Sequence, residues 1–236
     1  MNVKSPAVFR FVFLVVGFLL SSQSGAEVPD YACGPDYASG SIRNAFGPFD
    51  YRSGGPNLRN VESNHMAPDV VNLVRGQTGV WPGGDLSYTL RAFPNHPVAL
   101  AQMVRLGEKE RTPKPAGANY PVECYFKRAM IFAYDDGKVR AIYATYLYKA
   151  GRKADALNQL NEAIRLGEDT PNVQYNIGLI YFDLRKYDKA LSSAHRAYES
   201  GFPLPGLRDK LKKAGKWQEP VVRSDSGGAK AASVED

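Results

Sequence analysis

From residue 97 to residue 214, apolar side chains recur every three or four positions, the spacing that gathers them on one face of an α-helix. In HPVALAQMVRLGEKE that face is Val98, Leu100, Ala101, Met103, Val104 and Leu106, and residues 121–133 carry a second one. The intervening TPKPAGANYP has three prolines and a glycine and predicts a loop. Upstream, Leu86 and Leu90 share a helical face in a segment that ends at Pro94. A partner helix is predicted in APDVVNLVRGQ, begun by Pro68 and stopped near Gly76. Downstream of Pro205, Leu207, Leu211 and Ala214 form an apolar stripe opposite Arg208, Asp209, Lys210, Lys212 and Lys213. Residues 27–64 break the pattern, being rich in Gly, Pro, Tyr and Phe without a helical period. They predict an irregular arm whose Tyr37, Phe46, Phe49 and Tyr51 pack on the first helices, since aromatic surface is costly to leave in water.

The helical region is also self-similar. An offset of 34 residues maps GKVRAIYATYLYKAGRKADALNQLNEAIRLGEDT (137–170) onto PNVQYNIGLIYFDLRKYDKALSSAHRAYESGFPL (171–204). Ala144 falls on Gly178, Leu147 on Tyr181, Ala156 on Ala190, Ala163 on Ala197 and Gly167 on Gly201. Small residues recur where two helices must approach, and Gly recurs where a second helix must stop. Ile177-Gly178, Tyr181, Ala190 and Ala197, with Tyr143-Ala144, Leu147, Ala156, Leu160 and Ala163 in the first copy, resemble the tetratricopeptide repeat (TPR) pattern. The departures are Gln174, where the family has an aromatic residue, and Ala194, where it has Phe.

The resemblance implies an all-α, right-handed helical solenoid, and the likeness is to an exported bacterial member of the family. The expected organisation is a signal peptide over 1–26, the arm over 27–64 and TPR-like repeats over 65–202. Within the repeats, 97–136 is a longer unit and the stretch before it a degenerate one. A capping helix over 203–217 and a disordered tail over 218–236 complete it, the tail having too little apolar surface to offset ordering entropy. In this family the first helices line a concave groove. Its facing positions fall here on Lys138, Ala141, Thr145, Tyr148 and Lys149, then Asn172, Tyr175, Leu179, Phe182 and Asp183. Members that grip a C-terminal carboxylate use Lys and Asn where this chain has Ala141/Thr145 and Tyr175/Leu179, so that activity is not implied. The same aromatic residues have another possible use, packing against neighbouring helices or the arm.

The ends of the chain add a location. Lys4 and Arg10 precede the apolar run FVFLVVGFLL, and Ser24-Gly25-Ala26 supplies small residues for cleavage near Ala26. The run is short of the ~20 residues that span a bilayer, so export to the periplasm or beyond is expected, with no membrane span after cleavage. An uncleaved anchor is the alternative. The whole chain carries +6 at pH 7, two of those charges in the leader, which is too mild a bias to indicate nucleic acid. In an oxidising compartment Cys33 and Cys124 predict a disulfide closing a loop of about 90 residues; two separate buried thiols are the other reading.

Chemistry is sparse. His65, His96 and His195 have no metal-ligand spacing, and no nucleophile elbow, P-loop or dinucleotide fingerprint occurs. No cofactor, metal or catalytic residue is expected. Two functions remain: a scaffold or adaptor that binds a protein or peptide in the groove, or an accessory subunit or enzyme acting on cell-envelope polymer through the aromatic arm.

Overall fold

Prolines open five helices: α1 (Pro56–His65), α2 (Pro68–Val71), α3 (Pro82–Ala92), α4 (Pro97–Glu110) and α8 (Pro171–Asp183). At that position the missing N–H would be unpaired in any case, and the fixed φ already suits a helix. The remaining helices are α5 (Val122–Phe132), α6 (Gly137–Lys149), α7 (Lys153–Arg165), α9 (Tyr187–Glu199) and α10 (Gly206–Lys213). These come from a computed structural model that describes residues 27–35 and 37–220. The expected signal peptide and residues 221–236 of the expected tail lie outside the described residues. Among those described there are only helices and loops, and the architecture is a helical solenoid.

The sequence echo becomes geometry in α6–α9. The hairpins α6–α7 and α8–α9 have the same bounds once 34 is added, and Gly167 and Gly201 close them at φ +87° and +84°. That left-handed conformation is cheap only for glycine. Ala156 and Ala190, and Ala163 and Ala197, are fully buried where the helices of a hairpin meet. The phase also runs one step further than expected. Val139, Val173 and Leu207 are equivalent and buried, as are Tyr143, Ile177 and Leu211. The capping helix is therefore the first helix of a further repeat, and no second helix follows it among the described residues. It is shorter than the expected 203–217, because Pro205 starts it late and Gly215, at φ +66°, ends it.

This accounts for the second copy's departure at Ala194, which is buried in the cluster with Leu207 and Leu211, so that a small residue there makes room for α10. Gly178, which keeps to the family pattern, serves the same end, since a Cβ on it would clash with Leu207 Cδ2. Gln174 is buried as an aromatic residue would be, with its Nε2 donating to Asp169 Oδ1 at 2.6 Å.

Two segments differ from expectation. The helix predicted from Pro68 to Gly76 stops at Val71, because Leu73 takes φ +58° and Val74 N–H turns back to Asp69 O. The arm expected to be irregular through residue 64 ends sooner, since Pro56–His65 is helical and buries only Val61.

The arm lies along α5 and the end of α3. Cys33 and Cys124 form a disulfide, both fully buried. Arg128 donates to Cys33 O and Ile42 O, Lys127 Nζ donates to Val28 O, and Phe49 N–H donates to Ala92 O. Phe46, Phe49 and Tyr51 pack with Val61 and Phe93, whereas Tyr37 is half-buried beside Lys127 and Asp30.

Where Tyr51 meets α4, His96 is buried and caps the helix, its Nδ1 accepting from Ala99 N–H at 3.2 Å. The proton therefore sits on Nε2, which donates to Glu62 Oε1 at 3.2 Å. Burial holds the imidazole below its ordinary pKa of 6.5, and the Glu62 carboxylate opposes that only in part. A depressed histidine stabilises the fold above pH 6.5, and that stability is lost as pH falls through the folded pKa. Protonation also removes the cap, so about 0.5–2 kcal/mol should disappear below pH 6.5. His96→Asn, which keeps a capping acceptor without titrating there, should flatten that part of a stability–pH curve measured by urea unfolding. An unchanged curve would refute the assignment.

Candidate functional site

The first helices α4, α6 and α8 line a depression of about 240 Å³. Ala101, Val104 and Arg105 come from α4, Ala141, Ile142, Thr145 and Lys149 from α6, and Asn172 from α8. Because α4 starts 40 residues before α6, Ala101 and Arg105 stand at the places of Ala141 and Thr145. Two alanines facing each other leave the space, and Val104 and Ile142 give it apolar walls. Thr145 Oγ1 is already bonded to Ala141 O at 3.3 Å, so the wall offers few free polar atoms.

The rim is polar and mainly cationic. Lys149 Nζ reaches Glu108 across the α4–α6 gap at 2.8 Å. Beyond that bridge lies a second depression of about 220 Å³, which shares Val104 and Lys149 and adds Gly107, Tyr146 and Val122. The two adjoin at Val104 and Lys149, beside an exposed ion pair of the kind that contributes little stability. Arg105 is exposed and has no ion-pair partner among the described residues. An extended segment with one apolar and one acidic side chain would satisfy both the wall and the rim.

The residues expected to bind a partner divide into three groups and one outlier. Thr145, Lys149 and Asn172 line the same depression. Tyr148 and Asp183 are bonded to each other, hydroxyl to Oδ2 at 2.7 Å, with Lys153 Nζ 3.4 Å from the same oxygen. Burial and then the Asp183 carboxylate raise the Tyr148 phenol, which stays a neutral donor. Tyr175, Leu179 and Phe182 pack around α10, Tyr175 stacking on Phe202 at 4.2 Å. Lys138 lies apart, on a separate polar cavity with Tyr51 and Glu168. Ala101, Val104, Arg105 and Ile142 belong to the depression but were not among the expected residues. Counting back 40 from Ala141 and Thr145 would have found the first and third.

That separate cavity, about 290 Å³, is built around Arg52, which holds Asp50 at 2.6 Å and Asp135 at 3.0 Å. The Arg52 hydrogen bonds pull the Asp50 carboxyl down to about 2. Asn95 completes the network, donating to both Asp50 and Asp136, and Asp136 caps α6. Arg52, Asp50, Asp135, Asn95 and Asp136 all have structural partners, and the network ties the arm to the turns before α4 and α6.

A buried Asp85 accepts from His65 Nδ1 at 2.8 Å, from the Thr78 hydroxyl and from the Gln77 and Thr78 N–H groups. Burial pushes its carboxyl up, but these bonds outweigh it and the pKa is lowered. The constellation organises the 72–81 loop. No group of three His, Cys, Asp or Glu suited to a metal occurs among the described residues. Nor is any helix there long and apolar enough to cross a membrane.

Residues 146–185, from the last turn of α6 to the end of α8, match the family model for the TPR repeat. Repeats of this kind mediate protein–protein interaction, and proteins that carry them are generally non-catalytic scaffolds. No curated protein and no solved structure matches the chain.

Proposed function

We propose that this chain is an exported scaffold that holds a segment of a protein partner in the groove between α4, α6 and α8. The observation that carries the reading is the apolar depression of Ala101, Val104, Ala141 and Ile142, rimmed by Arg105, Lys149 and Asn172. Apolar burial would supply affinity, and the few rim groups would set register. Thr145, Lys149 and Asn172 stay in the binding set. Tyr175, Leu179 and Phe182 act indirectly, by seating α10 against the last hairpin. Export is supported by the basic-then-apolar leader and by a buried disulfide, which suits an oxidising compartment.

Action on envelope polymer through the arm has weaker support, since Phe46, Phe49 and Tyr51 pack against the helices. Affinity capture from an envelope extract tests the choice. A partner bound in stoichiometric amount should be lost at least ten-fold in the Ala141→Arg/Thr145→Arg double variant, with no change in melting temperature. If the captured component is polymer, or if the protein partner survives both arginines, the groove is not the site.

A further inference from the structure

The far end of the solenoid carries more positive charge than ending a solenoid requires. From Gly206 to Trp217 the chain has Arg208, Lys210, Lys212, Lys213 and Lys216 against a single carboxylate, Asp209. Capping demands a polar surface in place of the next repeat, but it does not demand a sign. None of these five cations forms an ion pair among the described residues. Three lie over aromatic rings instead: Arg208 over Tyr198 at 5.3 Å, Lys210 over Phe182 at 5.4 Å and Lys216 over Tyr187 at 5.8 Å. A ring attracts the cation above it without neutralising its charge.

Two further features narrow the occupant. The cations are spread along a helix and its exit, and none lines a cavity described above. A small anion would need convergent donors, whereas a broad charged plane needs only many ammonium groups. Beside them Leu204 is 58% exposed, and Trp217 is half-buried against Tyr198 and His195. Lysines around an exposed Leu and an interfacial Trp match the chemistry of a headgroup layer with acyl chains beneath.

We propose that the α10 end of the molecule docks on an anionic lipid bilayer, through Lys210, Lys212, Lys213 and Lys216 with Leu204 at its edge. The groove between α4 and α8 is a separate surface, so the protein would present a bound partner at a membrane face.

Co-sedimentation of the full chain tests this, using phosphatidylcholine vesicles and mixed phosphatidylcholine–phosphatidylglycerol vesicles. The apolar run at 11–20 acts equally on both, so the quantity read is the ratio of the two affinities. Each lysine near an anionic surface changes affinity about five-fold. The variant K210Q/K212Q/K213Q/K216Q should therefore lose about three orders of magnitude of that ratio. Removing four exposed cations elsewhere (R43Q/R59Q/K114Q/K138Q) should leave most of it. Salt that shortens the Debye length from ~10 to ~3 Å should abolish the wild-type preference. The proposal is overturned if the α10 variant keeps the wild-type ratio, or if the remote variant loses as much. It is also overturned if the wild type binds immobilised polyglutamate through the same lysines while showing no vesicle preference, which would assign the patch to an acidic polypeptide.

Discussion

Replacing Cys33 and Cys124 together by alanine should lower the unfolding free energy by about 4–5 kcal/mol. The bridge joins residues 91 apart, and a loop that long restricts the unfolded chain strongly. For a domain of this size the loss corresponds to a fall of about 10–20 °C in melting temperature. The effect is not uniform. Without the bridge, the arm is held by polar contacts from Glu123, Lys127 and Arg128 and by the packing of Phe46 and Phe49 on Phe93. Hydrogen exchange should therefore rise first in residues 27–53, with α6–α9 keeping their protection until global unfolding. Both sulfurs are fully buried, so a mild reductant should act only as fast as the arm opens. A loss below about 1 kcal/mol would show that the arm's other contacts suffice.

Arg152→Ala should cost a further large sum, about 3–5 kcal/mol, because it strands a charge. Glu123 is 1% exposed, and its carboxylate accepts from Arg152 Nη1 at 2.5 Å, Tyr143 Oη at 2.6 Å and Val28 N–H at 3.1 Å. Burial and the adjacent carboxylate keep the Tyr143 phenol protonated well above its ordinary range, so it remains a donor. Yet two neutral donors cannot balance a buried anion. Glu123→Gln removes the charge while keeping an acceptor and should cost far less, about 1–2 kcal/mol. Arg165 serves as the control, since its pair with Glu162 stands in solvent. Arg165→Ala should leave the denaturation midpoint unchanged. Equal midpoints for Arg152→Ala and Arg165→Ala would mean that Glu123 is solvated or neutral.

The sequence made some of this legible and hid the rest for identifiable reasons. The hairpins α6–α7 and α8–α9 could be read because each is a copy of the other, and a shared phase outweighs weak single positions. The half-repeat α10 carries the same phase at Leu207 and Leu211, but two positions followed by lysines read as an ordinary amphipathic helix. Helix α1 escaped notice because PNLRNVESNH turns mainly polar residues outward and buries Val61 alone. Part of the groove was missed because an 11-residue loop lengthens the unit holding α4, so the offset there is 40 rather than 34. Helical periodicity assigns Tyr175 and Phe182 to the correct helix. It contains nothing about α10, which packs over them.

The exposed side of α10 also bears on how these molecules behave in number. Lys212 occupies the place where the preceding repeats bury Ala144 and Gly178. A stacking face left apolar there would accept the start of another molecule, and head-to-tail contacts that do not close generate open filaments. Burying unpaired cations at such a junction is costly and works against that growth. The same cations that disfavour an added neighbour leave the end suited to a surface of opposite sign.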